Sequence, residues 1–171
     1  MTDGIPWQPG SGATPPARVW TTANWGSSWT RGGLLPLSRD TITGAVSFAG
    51  RSGWLVAQTL AGQRQLAVTA GGPLRLQPAP QDASDVQLLG RGTGFAWGLE
   101  SPETSGPAGR TVLVLNRTTD NGRGWRQART TLVAPAGAAA APLLDFSDAS
   151  HGWLVFGGVT WRTSDSGTSW S

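Results

Sequence analysis

The sequence predicts an all-β chain made of repeated four-stranded antiparallel sheets, and three observations lead there. The composition suits many short strands joined by tight turns: 25 glycines, 12 prolines and 10 tryptophans among 171 residues, with only 13% charged. An eight-residue turn motif recurs at a nearly constant spacing. A glycine followed by an aromatic residue forms a second landmark that interleaves with the first.

The turn motif is clearest at Thr163-Ser164-Asp165-Ser166-Gly167-Thr168-Ser169-Trp170, and Thr118-Thr119-Asp120-Asn121-Gly122-Arg123-Gly124-Trp125 repeats it. A third copy, Thr22-Ala23-Asn24-Trp25-Gly26-Ser27-Ser28-Trp29, carries Asn24 in place of the aspartate. A worn fourth copy, Val68-Thr69-Ala70-Gly71-Gly72-Pro73, keeps the threonine and the turn glycines but has lost Asp and Trp. Taking Gly26, Gly72, Gly122 and Gly167 as markers gives spacings of 46, 50 and 45 residues.

Each residue type has a reason to be in such a turn. An Asp side chain is expected to accept backbone N–H groups two or three residues ahead, and glycine takes the positive φ of a tight hairpin. The hydroxyls add local hydrogen bonds, and the closing Trp lays an apolar face over the hairpin base. Thr22, Asn24, Gly26, Trp29, Thr118, Asp120, Gly122, Trp125, Thr163, Asp165, Gly167 and Trp170 are therefore expected to be structural. A carboxylate occupied by backbone donors is also a poor general acid.

The second landmark, Gly53-Trp54, Gly94-Phe95 and Gly152-Trp153, precedes three of these markers and opens a strand each time. One period then holds four strands, expected near 44–49, 53–60, 64–70 and 74–78, and again near 85–90, 94–99, 110–118 and 125–131. Between the second and third strands of the later period, the polar Pro/Gly segment 100–109 reads as an extended loop. The last period offers strands near 142–147, 152–157 and 159–164, and the first only a third strand near 17–22 and a fourth from Trp29.

Four strands per period of this length is the signature of a β-propeller blade. The expected architecture is a single partial propeller over 1–171. It comprises an incomplete blade at 1–37, blades at 38–79 and 80–131, and an incomplete blade at 132–171 lacking its fourth strand, with the boxes joining third and fourth strands. Because a closed propeller needs at least four blades, the chain is expected to be a fragment of a longer one or to complete itself by association. Thr2 to Pro9, with Trp7, resembles the tail of one more shortened box.

Charge and composition narrow the function. The formal net charge is +3 and every basic residue is Arg, so a nucleic-acid partner is not expected. Five arginines gather at Arg110, Arg117, Arg123, Arg126 and Arg129, and read either as a solvated hairpin edge or as an anion-binding patch. The absence of cysteine excludes disulfides and thiolate metal sites. No apolar run reaches the roughly 20 residues of a membrane span, and the first residues lack the apolar core of a signal peptide, so an exported protein's signal is expected upstream.

Reaction chemistry is sparse. His151 is the one histidine and lies in the turn before Gly152, where exposure explains it better than base catalysis. The two glutamates, Glu100 and Glu103, fall in the expected loop. Asp120-Asn121-Gly122 echoes a calcium loop without the further carboxylates such a site needs. No cofactor or metal is expected.

Together these motifs resemble the BNR/Asp-box repeat β-propellers, non-catalytic relatives of the sialidase superfamily, and within them the bacterial photosystem II assembly/stability factor-like propellers. The best match is Phe146-Ser147-Asp148-Ala149-Ser150-His151-Gly152-Trp153-Leu154-Val155 leading to Thr163. The resemblance implies a bladed scaffold acting outside the cytoplasm, with a protein partner and with its Asp boxes away from the ligand face. Sialidases require a Tyr nucleophile, and the chain has no tyrosine. A non-catalytic protein-binding scaffold is thus the leading expectation. The alternative is a carbohydrate-binding or sialidase-like propeller without catalytic residues, motivated by Trp7, Trp20, Trp25 and Trp161, although indoles packed between blades would leave the same pattern; Trp20, Trp25, Trp161, Arg117 and Arg123 are the candidate ligand-facing residues. Edge pairing or oligomerisation is the third.

Overall fold

A computed structural model describes residues 18–35, 37, 41–70, 72–100, 110–133 and 142–171. The expected Thr2–Pro9 box tail, Trp7, Glu103 and most of the 100–109 loop lie outside these. Among the described residues every regular element is a strand, and no helix is long and apolar enough to cross a membrane.

The thirteen strands of the described residues form four antiparallel sheets. Strands β1 (Arg18–Thr21) and β2 (Thr30–Leu34) make a hairpin. Strands β3 (Thr41–Ala49), β4 (Ser52–Thr59), β5 (Arg64–Ala70) and β6 (Arg75–Pro78) make one four-stranded sheet, and β7 (Asp85–Gly90), β8 (Thr93–Glu100), β9 (Arg110–Thr118) and β10 (Arg126–Val133) another. The last sheet has β11 (Leu143–Phe146), β12 (Gly152–Phe156) and β13 (Val159–Thr163). Its outer edge is extended only by the reciprocal backbone bonds of Arg162 and Ser171, at 2.9 and 3.0 Å.

This is a partial β-propeller, with first, second, third and fourth blades in chain order. The first strands of successive blades approach one another, β3 against β7 and β7 against β11. The apolar core accordingly lies between blades. Trp54, Val56 and Leu66 of the second blade pack against Ala83, Val86, Leu88 and Ala96 of the third. On the other side of the third blade, Phe95, Trp97, Leu113 and Leu115 meet Leu144, Phe146, Leu154 and Phe156 of the fourth. Strand alternation makes this work: β8 is buried on both faces, Gly94 and Ala96 toward the second blade and Phe95 and Trp97 toward the fourth.

Strand bounds differ from expectation by a few residues, and β3 starts at Thr41 rather than near 44. Strand β10 starts after Trp125, because the box indole still belongs to the turn, and it runs on to Val133 because Leu132 joins the core and its neighbours pair along β9. The β3 ladder slips between Thr43 and Val46, an irregularity that lets nine residues pair with eight.

Candidate functional site

Three boxes share one hydrogen-bond pattern. The Thr163 hydroxyl donates to Asp165 Oδ1 at 2.8 Å, and its oxygen accepts the Gly167 N–H at 2.9 Å. Asp165 Oδ1 accepts the Ser169 N–H at 2.9 Å. Thr118, Asp120, Gly122 and Gly124 repeat these bonds, at 2.7, 3.0 and 2.9 Å. In the first box the amide oxygen of Asn24 does the same work, accepting from the Thr22 hydroxyl and the Ser28 N–H, while Gly26 donates to Thr22.

The aspartate therefore reaches four residues ahead rather than two or three. The cause is the paired left-handed turn: Trp25, Asn121 and Ser166 have φ of 55, 63 and 65°, and the glycines after them 84, 80 and 83°. Two successive residues in that region curl the chain back so that the farther N–H meets the carboxylate. None of the described residues of the worn copy has a left-handed φ. Thr69 stands opposite Gly53 as the box threonines stand opposite Gly94 and Gly152, but its hydroxyl donates to the Gly72 carbonyl at 2.6 Å.

Electrostatics follow the bonding. The Ser169 hydroxyl and N–H, with Thr163, hold Asp165 down to a pKa of about 2. The Gly124 N–H and the Thr118 hydroxyl lower Asp120. A fourth carboxylate, Asp148, accepts the N–H groups of Ser150 and His151 at 2.7 and 2.8 Å and is lowered to about 2 by them and by the His151 ring. Sequence reading passed over Asp148, although an Asp two and three residues before Ser150 and His151 is an Asx-turn signal. All three carboxylates stay ionised at neutral pH and cannot donate a proton there.

His151 Nδ1 lies 2.9 Å from Asp148 Oδ2 on the surface. Ser164 and Ser171 line the same shallow pocket, and neither hydrogen-bonds the imidazole, so no nucleophile completes the pair among the described residues. No cluster of three or more metal-ligating side chains occurs there either.

Two of the boxes are wedged between blades. A Cβ on Gly122 would stand 2.7 Å from Leu66 of the second blade, and one on Gly167 would overlap Leu115 of the third. Trp125 meets Trp54 edge-on at 5.8 Å, and Trp170 meets Phe146 at 6.3 Å. Trp161 is half-buried against the same core.

Among the described residues the first box has no such cover. Around Gly26 a Cβ would touch only Trp29. Trp25 is fully exposed, at 102% of its reference area, in a conformation that bulky residues rarely adopt. Trp20 and Trp29 are more than half exposed and, with Val19, Leu34, Phe48 and Leu74, line an open groove of about 820 Å³ between the hairpin and the second blade.

Among the described side chains Arg117, Arg123, Arg126 and Arg129 do not converge on one site. Arg117 and Arg126 sit opposite each other across the β9–β10 ladder, beside Asp165 and Ser166. Arg123 lines a separate cleft with Gln77, Asn116 and Trp125, and Arg129 pairs with Glu100.

No family model and no curated protein matches the chain. Among solved structures it is similar to one described as YCF48 bound to D1 peptide, at 18% identity and a TM-score of 0.44, over 90% of this chain and 60% of that one. The chain thus spans less than two thirds of that neighbour's length.

Proposed function

We propose that the chain is a non-catalytic, Asp-box-type propeller segment that binds a protein partner through the aromatic surface of its first hairpin. The observation that carries this reading is Trp25. An indole stands, fully exposed, at a left-handed turn position where the other boxes have Asn121 and Ser166, so local folding does not account for it. Trp20 and Trp29 on the same hairpin extend the apolar area, and exposed aromatic clusters of this kind are typical anchors for protein partners.

The non-catalytic part of the proposal is supported by chemistry. The box carboxylates are engaged by local donors and ionised, and among the described residues the His151 ring has only Asp148 as a partner. Crosslinking and pull-down with the chain as bait should recover a protein, and Trp25→Ala should reduce the recovery. Equal recovery with and without the indole removes the proposed surface.

Carbohydrate binding is the second reading, favoured by the three exposed indoles, on which a sugar ring can stack. The groove beside them has few side chains for a sugar's hydroxyls, mainly Arg51, Thr69, Thr21 and Thr22. Indole fluorescence that responds to a glycan and not to a protein partner would favour it. The likeness of the repeats to exported bacterial propellers supports an extracytoplasmic site of action. Recovery of the native protein with the cytosol would remove that part.

A further inference from the structure

A buried amide without a full set of partners stands at the joint between the second and third blades. The residues two after Gly53, Gly94 and Gly152 are Leu55, Ala96 and Leu154, and opposite them on the third strands stand Ala67, Asn116 and Trp161. Alanine and tryptophan fill this place in the other two blades, so the sheet does not require an asparagine there. Asn116 is nonetheless only 2% exposed, and its Nδ2 has no acceptor among the described residues. Its Oδ1 accepts from Nε2 of the exposed Gln127 at 3.4 Å, a long contact. An unpaired buried donor is rare in a folded protein and points to a missing partner.

Trp125 supplies a second such donor. In the last box the Trp170 Nε1 donates to the Gly167 carbonyl at 3.1 Å, within its own turn. The equivalent Nε1 of Trp125 is buried and makes no such bond among the described residues. Asn116 and Trp125 both line one open cleft of about 690 Å³, between the end of β6 in the second blade and the β9–β10 face of the third. That volume lies within the roughly 300–1,000 Å³ of small-molecule sites.

The other side chains of the cleft serve both sides of a hydrogen bond. Gln77 gives its Nε2 to the Asn121 carbonyl at 2.6 Å, which leaves its oxygen as an acceptor, and the amides of Gln81 and Gln127 both donate and accept. The Asp82 backbone lies against Gly98, level with Val114 on β9, and Arg123 lies in the box past Thr118. One acid and one base thus flank Asn116 from opposite ends, and the balance suits a neutral ligand. A hydroxyl both donates and accepts, so a ligand carrying several can meet the unpaired N–H groups and the flanking oxygens together. An extended peptide is ordinarily held by its backbone at a strand edge. Asn116 and Gln127 instead stand opposite each other on a sheet face, the one that Ala96 turns to the second blade.

We infer that this cleft binds a neutral saccharide, whose hydroxyl oxygens accept from Asn116 Nδ2 and Trp125 Nε1 while Gln127 gives up its long bond to the Asn116 amide. The site lies between the second and third blades, apart from the aromatic surface at Trp25 and the groove beside it, and does not rest on either.

Nuclear magnetic resonance of the full chain tests this, with glucose, galactose, N-acetylglucosamine and their β-linked dimers titrated as probes. At least one probe should shift the Asn116 side-chain NH2 and the Trp125 indole N–H signals together and to saturation. Asn116→Ala, which copies Ala67, should weaken that probe about tenfold, read from the Trp125 signal. The same variant should hold or raise the denaturation midpoint, since it removes an unpaired buried donor. Trp125→Phe keeps a ring without the N–H and should weaken the probe by a similar factor, read from the Asn116 signal. Shifts from none of the probes, as a cleft filled by water alone would give, overturn the inference. So do shifts confined to Trp20, Trp25 and Trp29, and shifts caused by triglycine but by no sugar. An Asn116→Ala variant that binds as the parent does also overturns it, and so does one that loses stability, which would make the amide a part of the fold.

Discussion

The rings of Phe95 and Phe146 lie face to face, centroids 3.6 Å apart and planes within 8°, across the boundary between the third and fourth blades. Both are buried, and each blade's stability depends on its neighbour because neither sheet covers its own apolar face. Phe95→Ala should cost about 3–5 kcal/mol, and Phe95→Leu clearly less. Chemical denaturation checks this, and hydrogen exchange should show the fourth blade losing protection first. An Ala variant within experimental error of the parent would mean that the stack is incidental.

Thr163 is the hub of the last box, buried, with its hydroxyl both donating to Asp165 and accepting the Gly167 N–H. Thr163→Val keeps the shape and strands a buried N–H, so a loss of about 1–3 kcal/mol is expected. Thr163→Ser should lose much less. Asp165→Asn should be milder than Asp165→Ala, since Asn24 already serves as the acceptor in the first box. Denaturation midpoints of the four variants check the order.

Gly26 and Gly167 have almost the same φ, 84 and 83°, but different surroundings. A methyl at Gly26 meets only the Trp29 ring at 3.8 Å, whereas at Gly167 it overlaps Leu115 of the neighbouring blade. Gly26→Ala should therefore show the conformational cost alone, about 1–2 kcal/mol. Gly167→Ala should exceed it clearly, because the box must lift from the third blade. Equal losses would show that the wedge of the last box contributes nothing.

Local chemistry explains what was legible in the sequence. Threonine, aspartate and glycine at fixed offsets satisfy one another within a single turn, so an all-β chain of antiparallel blades with boxes between third and fourth strands could be read without knowing what lies nearby. The blade joints could not. Ser47 and Gln87 share one structural place while differing in size, and only the next blade's backbone N–H, of Leu88 or Phe146, that each accepts unites them. Trp54 and Phe95 look like strand residues of any sheet until the next blade supplies Gly94 or Phe146. The worn copy differs for a local reason. Thr69 survives in the pattern, but without an aspartate there is no acceptor to hold the turn, and its hydroxyl turns to the Gly72 carbonyl instead.

Acid should loosen the turns. Asp148 and Asp165 fall from the ordinary 3.8 to about 2 in the folded chain, and Asp120 is lowered as well. Between the two values the unfolded chain binds more protons than the folded one, so the stability these carboxylates add is complete above the ordinary value and is lost as pH falls toward 2. The denaturation midpoint should drop over that window. Combining Asp148→Asn with Asp165→Asn keeps acceptors in place but removes their titration, and should flatten the drop. A parent and double variant with the same acid sensitivity would contradict this.

Trp25 offers the sharpest separation of folding from function. Its φ of 55° is one that asparagine tolerates and a bulky ring resists, and the ring buries nothing in exchange. Trp25→Asn, which copies the third box at Asn121, should raise stability by about 1 kcal/mol while lowering partner recovery. A residue kept for the fold would behave oppositely, losing stability on replacement. Melting temperature and pull-down on the same preparation decide between them: higher stability with weaker capture supports a binding role for the indole, and lower stability with undiminished capture removes it.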